Sequence, residues 1–164
     1  MKLYLFHHCL MILITFTILL TISSAESPPD LDQQQVDEEL EPTQQARQDY
    51  AGTWQVDTIT SNGNLSEPEK KIVIENRVDG TWTMFIDDEE FSSGTNAFDS
   101  LCDPKEIDIS ITNGEGQGSV LHGIYELSET TRKLCFRGGA GWRPSVFESL
   151  QGDESILVTF TQIK

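Results

Sequence analysis

Histidine, cysteine and positive charge are all scarce in this chain of 164 residues. Two of its three histidines, His7 and His8, sit in the N-terminal stretch, which leaves His122 for the remainder. A Ser-His-Asp arrangement would therefore have a single base to draw on. In "LHGIYEL", His122 alternates with Leu121 and Gly123, so it faces outward if they face in. Cysteine stands at Cys9, Cys102 and Cys135. The last two have no histidine neighbours, which excludes the common zinc sets unless carboxylates contribute. Eleven basic residues face 27 acidic ones, a formal net charge of −16. A surface this acidic repels phosphate backbones and anionic lipid headgroups, which excludes nucleic acid and anionic membranes as expected partners.

Long apolar runs are also missing, with one exception. Cys9 to Ile22 is apolar, follows Lys2, and precedes the small residues Ser23-Ser24-Ala25. A charged start, an apolar stretch and a small-residue cleavage site predict a signal peptide over 1–25. The run is short for a bilayer, which needs roughly 18 or more residues; an uncleaved N-terminal anchor is the alternative if Leu3, Tyr4 and the two histidines are counted in. The expected location is extracytoplasmic, periplasmic or secreted. Residues 26–49 carry Glu, Asp, Gln and Pro but no aromatic, and read as an acidic disordered linker. A short amphipathic helix around Val36 to Arg47 is the other reading. One domain of modest core remains, 50–164. An exported protein with two cysteines permits a disulfide between Cys102 and Cys135, provided their Cα atoms come within about 7 Å.

Convincing helical period is absent from that domain. Period-two alternation replaces it, the mark of half-buried strands. Trp54, Val56 and Thr58 share a face in "TWQVDTI"; Ile72 and Ile74 do so in "KKIVIEN", and Trp82, Met84 and Ile86 in "TWTMFID". Ile107, Ile109 and Ile111 alternate in "EIDISIT", and Leu121, Gly123, Tyr125 and Leu127 in "LHGIYEL". Leu134 pairs with Phe136 in "KLCFR", and Ile156, Val158 and Phe160 line up in "SILVTFTQI". Asn62-Gly63-Asn64, Asp79-Gly80, Asn113-Gly114 and Gly152-Asp153 fall between the runs as turn formers. About eight short strands joined by hairpins expose sheet edges unless they close. The expected fold is all-β: a small antiparallel up-and-down barrel, with a sandwich as runner-up.

The domain opens with Gly52-Thr53-Trp54, then runs through "SSGT", "DPKEIDI", "GIYEL", "KLCF" and "RPSVFES" to a final apolar strand. The first triplet resembles the Gly-x-Trp of lipocalins, whose Trp closes one end of the barrel. The whole order resembles a lipocalin-like family of uncharacterised secreted proteins abundant in planctomycete bacteria, over nearly all of 50–164. The resemblance implies fold and compartment and supplies no catalytic residue. Lipocalins also carry an arginine late in the chain that packs on the Trp; no clear equivalent stands out, and Arg143 is the nearest candidate.

"DDEE", Asp87 to Glu90, reads as a solvated hairpin tip, lacking the spacing of calcium loops. Gly138-Gly139-Ala140-Gly141 lacks the spacing and following helix of a phosphate loop; it reads as a bend, with Arg143-Pro144 beginning the next strand. No catalytic residue, cofactor or metal is expected. The expected function is binding of a small apolar ligand inside the barrel, against an inward face of Trp54, Trp82, Met84, Tyr125, Phe136 and Phe160. The alternative is a non-catalytic interaction module with a packed core, its partner another protein of the cell envelope.

Overall fold

A computed structural model describes residues 42–138 and 141–164. The expected signal peptide and most of the expected linker lie outside the described residues. Helix α1 spans residues 42–50, overlapping the end of the linker expected to be disordered over 26–49 and the alternative helix around Val36 to Arg47. Pro42 occupies its first turn, where a missing N–H costs nothing. Gln45 Nε2 donates to Asp49 Oδ1 one turn on (2.7 Å). Ala46 and Tyr50, four residues apart and hence on one face, are both buried. The polar composition hid a two-residue apolar stripe, enough to dock a short helix against a preformed surface.

Nine strands follow among the described residues: β1 (Gly52–Ser61), β2 (Asn64–Ser66), β3 (Ile72–Asn76), β4 (Thr81–Ile86), β5 (Glu89–Asp99), β6 (Lys105–Gly114), β7 (Val120–Leu127), β8 (Thr131–Arg137) and β9 (Ser155–Ile163). All neighbours are antiparallel, in the order β2-β1-β3-β4-β5-β6-β7-β8-β9, and β9 pairs back onto β1. Without β2, a three-residue flap on β1, the remaining eight strands form a closed up-and-down barrel. The expected all-β, lipocalin-like barrel is the fold observed, and the sandwich is not. Closure leaves no long bare edge, which is the physical advantage of this topology.

The predicted inward faces are largely those observed. Val56, Ile107, Tyr125, Leu134, Val158 and Phe160 join Trp54 and Tyr50 in one buried cluster, with Ile72, Ile74, Ile109, Leu127, Phe136 and Ile156 packed on it. In β1 the phase slips. A bulge between Val56 and Thr58 turns Ile59 inward in place of Thr58, whose hydroxyl meets that of Thr159 instead (2.7 Å). One extra residue is enough to exchange the two faces of a strand.

The expected strand at Arg143-Pro144 does not form. The described residues between β8 and β9, 138 and 141–154, form no strand and make a strap against the outer wall. Arg143 Nη1 donates to the carbonyls of Ile107 (2.9 Å) and Gly123 (2.7 Å). Cys135 Sγ donates to the Glu148 carbonyl (3.4 Å). Ile124 and Cys135 are register partners on the outer face of β7 and β8, yet are 1% and 0% exposed. The outer face thus carries a buried patch of its own, with the strap held over it at Cys135. Cys102 and Cys135 are both free thiols: Cys102 lies in the β5–β6 connection, and Cys135 is held beneath the strap on β8.

Candidate functional site

Strand direction defines two ends. Helix α1 and the β3–β4, β5–β6 and β7–β8 connections gather at one; the β4–β5 and β6–β7 turns and the strap lie at the other. Ser100 Oγ donates to the Pro42 carbonyl (3.2 Å), which ties the helix to the β5–β6 connection. Tyr50, the helix's last residue, meets Phe98 and Tyr125 with ring centroids 5.0 and 5.3 Å apart, the second edge-on. Trp54 Nε1 donates to the Tyr50 carbonyl (3.3 Å). This end is plugged by packed aromatic rings.

Arg132 lies within the plug, 1% exposed. Its guanidinium carbon stands 4.1 Å from the Phe160 ring centre, 4.4 Å from Tyr50 and 4.9 Å from Trp54. Each such contact is worth about 0.5–2 kcal/mol, the upper part when water is excluded. Three of them offset a burial penalty of several kcal/mol for an ion without a counter-charge. Arg132 is therefore the arginine that packs on the Gly-x-Trp tryptophan; Arg143, the candidate from sequence, lies outside on the strap. Burial pulls the Arg132 pKa down, opposed by Tyr50, and burial raises that of Tyr50; a guanidinium nevertheless stays charged.

Above the plug is a cavity of about 600 Å³. Ile59, Ile72, Ile74, Met84, Ile109, Ile111, Leu121, Leu134, Phe136, Ile156 and Val158 supply most of its wall, and Phe91 and Glu115 lie near its mouth. Of the residues expected inside, Trp82, Met84, Phe136 and Phe160 line it. Trp54 and Tyr125 face inward too, but are spent in the plug. The cavity has the volume range and apolar lining of small-molecule sites.

Its plugged end is polar. Asn76, Asn96 and Arg132 line it there with Trp82. Asn96 Nδ2 donates to Asn76 Oδ1 (3.1 Å). Among the described residues, Asn76 Nδ2, Asn96 Oδ1, Trp82 Nε1, and Nε and Nη1 of Arg132 are buried without a hydrogen-bond partner. Trp82 is among the residues expected inside; Asn76, Asn96 and Arg132 are not, although the pattern holds a signal for two of them. Arg132 is in phase with Leu134 and Phe136, and Asn76 with Ile72 and Ile74, so alternation alone puts these two polar chains inside, whereas Asn96 follows Ser92 and Gly94 and has no apolar period to phase it.

The outer wall carries a separate charged cluster. Asp108 Oδ1 accepts from Arg143 Nη2 (2.7 Å) and lies 2.7 Å from His122 Nδ1; Arg143 Nε pairs with Glu106 (2.9 Å). Burial raises the Asp108 pKa, but hydrogen bonds from His122 and Arg143 outweigh it and hold the carboxyl below its ordinary range. His122 faces outward, as its alternation with Leu121 and Gly123 requires. The cluster fastens the strap. At the "DDEE" tip, Asp87 and Asp88 form a tight turn with φ of 52° and 70°. Lys70 and Lys71 pair with them, and no metal-binding group of side chains occurs among the described residues.

Fold and cavity together define a class: a closed eight-stranded, lipocalin-like barrel with an apolar interior and a capped end. Set against protein-family models, curated proteins and solved structures, the chain matches none.

Proposed function

We propose that this is an exported, non-catalytic carrier or sensor of a small, largely apolar molecule held inside the barrel. The observation that carries the reading is the cavity of about 600 Å³ within a domain of this size. A self-filled core would bring large side chains together at the centre. Here the large rings collect at the plug, and aliphatic side chains line most of the wall above it. That distribution weighs against the packed-core interaction module. The outward position of His122, tied to Asp108, supports a non-catalytic role. Export, location outside the cytoplasm and kinship with the planctomycete lipocalin-like family rest on the N-terminal pattern and the motif order, and belong to the same proposal.

Native mass spectrometry tests the binding step. The chain purified from its own host is compared with the same chain after extraction by organic solvent. The expected result is a mass excess that the solvent removes. A single mass equal to the bare polypeptide, with a melting point unmoved by long-chain acids, alcohols and aromatics, would overturn the reading in favour of a scaffold.

A further inference from the structure

The plugged end of the cavity is chemically unlike its wall. The wall is hydrocarbon; the floor combines a buried guanidinium, an indole N–H and two side-chain amides. The asparagines bond to each other, so one amide donor and one amide acceptor remain unused whichever way the pair is turned. With Arg132 Nε and Nη1 and Trp82 Nε1, unused donors outnumber unused acceptors four to one. No carboxylate among the described residues reaches ion-pair distance of Arg132. That is notable in a chain with 27 acidic residues. The three rings around Arg132 occupy positions close to its guanidinium carbon. They supply no hydrogen-bond acceptor to its N–H groups.

Buried donors without acceptors are costly, and charged ones most of all. A ligand that brings two acceptor oxygens and a negative charge would satisfy them together, and Arg geometry suits a carboxylate. The aliphatic wall then accommodates a hydrocarbon tail running toward the mouth. We propose that the barrel binds an amphiphilic carboxylic acid head-down, its carboxylate on Arg132, Asn76 and Trp82 and its chain along the isoleucine-rich wall. This rests on the cavity reading above and specifies the ligand class and its orientation.

The test uses the whole chain and three probes of equal length: dodecanoic acid, dodecan-1-ol and methyl dodecanoate, titrated calorimetrically below their aggregation limits. The acid is expected to bind at least about tenfold tighter than the other two. Equal binding of all three overturns the head-down carboxylate and leaves the cavity reading standing; binding of none overturns both. Orientation is read in Trp142→Phe, which removes a surface indole (86% exposed) and leaves Trp54 and Trp82 near the floor. Acid brominated beside the carboxylate should quench their fluorescence more than acid brominated at the tail. The reverse order overturns the placement. Arg132→Met should erase the preference for acid over alcohol. Should that variant fail to fold, the probe series and the bromine comparison still decide.

Discussion

Tyr50→Ala removes the side chain that joins helix α1 to the barrel. Tyr50 is 2% exposed and packs against Phe98, Tyr125 and Arg132. An aromatic side chain buries on the order of 150–250 Å². At about 25 cal/mol per Å², that gives roughly 4–6 kcal/mol before the compactness of the unfolded chain is counted. Aromatic-to-alanine changes in cores cost about 3–5 kcal/mol, and we expect a loss in that range. In a domain of this size the melting temperature should fall by roughly 10–20 °C. Urea unfolding followed by tryptophan fluorescence measures the loss, because Trp54 bonds to the Tyr50 carbonyl. Gln48→Ala, an exposed change on the same helix, should stay within about 0.5 kcal/mol. A Tyr50→Ala loss below about 1 kcal/mol would refute the plug: the helix would then contribute no closure, and residues up to 49 would behave as the spacer their composition suggests.

Gly94 lies opposite Trp82 beside a bulge, where an added Cβ would collide with the Ser110 carbonyl oxygen and touch the Trp82 ring; Gly94→Ala should cost about 2–4 kcal/mol by urea titration, and a neutral result would refute that close approach. Ile124→Ala should cost about 2–4 kcal/mol although Ile124 faces outward, because that position is buried all the same; a loss under about 0.5 kcal/mol would show it to be open to solvent. Tyr125 is pushed up to about 12, by burial first and then by Tyr50, Asp49 and Asp99. The unfolded chain ionises this group near 10, so the folded state holds more protons between those values and stability falls as the pH rises through that window. The loss should reach about 2–3 kcal/mol, should be absent below about pH 9, and should shrink in Tyr125→Phe; an unchanged alkaline slope in that variant would assign it elsewhere.

The sequence disclosed strands wherever one face was apolar. Ile107, Ile109 and Ile111 announce β6, and Ile156, Val158 and Phe160 announce β9. Strand β5 escaped, for its inward residues before Phe98 are Ser92, Gly94 and Asn96. Small and polar, they match the space left by Trp82 and the polar floor, and carry no hydrophobic period. Helix α1 surfaced only as the alternative helix around Val36 to Arg47, because two buried residues on a nine-residue helix leave its composition polar. The "RPSVFES" stretch misled in the opposite direction: it forms no strand, and Arg143 and the Glu148 carbonyl hold it to the outer wall. For the site, alternation placed the hydrocarbon wall correctly. It was equally able to place Arg132, but a charged residue inside a barrel becomes credible only once three rings are seen around it. Neither the burial of Cys135 beneath the strap nor the anchoring of Arg143 on two carbonyls follows from any local pattern, since both depend on where a loop returns.

The seam of the barrel joins its first strand to its last. Thr53 pairs with Ile163 and Ser61 with Ile156, so the ladder that completes the ring spans almost the entire domain. Every other pairing joins strands close in sequence and can form as the chain emerges. The seam cannot, and it brings Trp54 of β1 to the guanidinium of Arg132, which already faces Phe160 as its register partner across β8 and β9. Closing so long a loop is slow, because its entropy is lost before any contact repays it. Until then β1 and β9 each present an unpaired row of amides and carbonyls. The interval between synthesis of β8 and docking of β9 is thus the period of greatest exposure to misassembly, and the rate of seam closure sets its length.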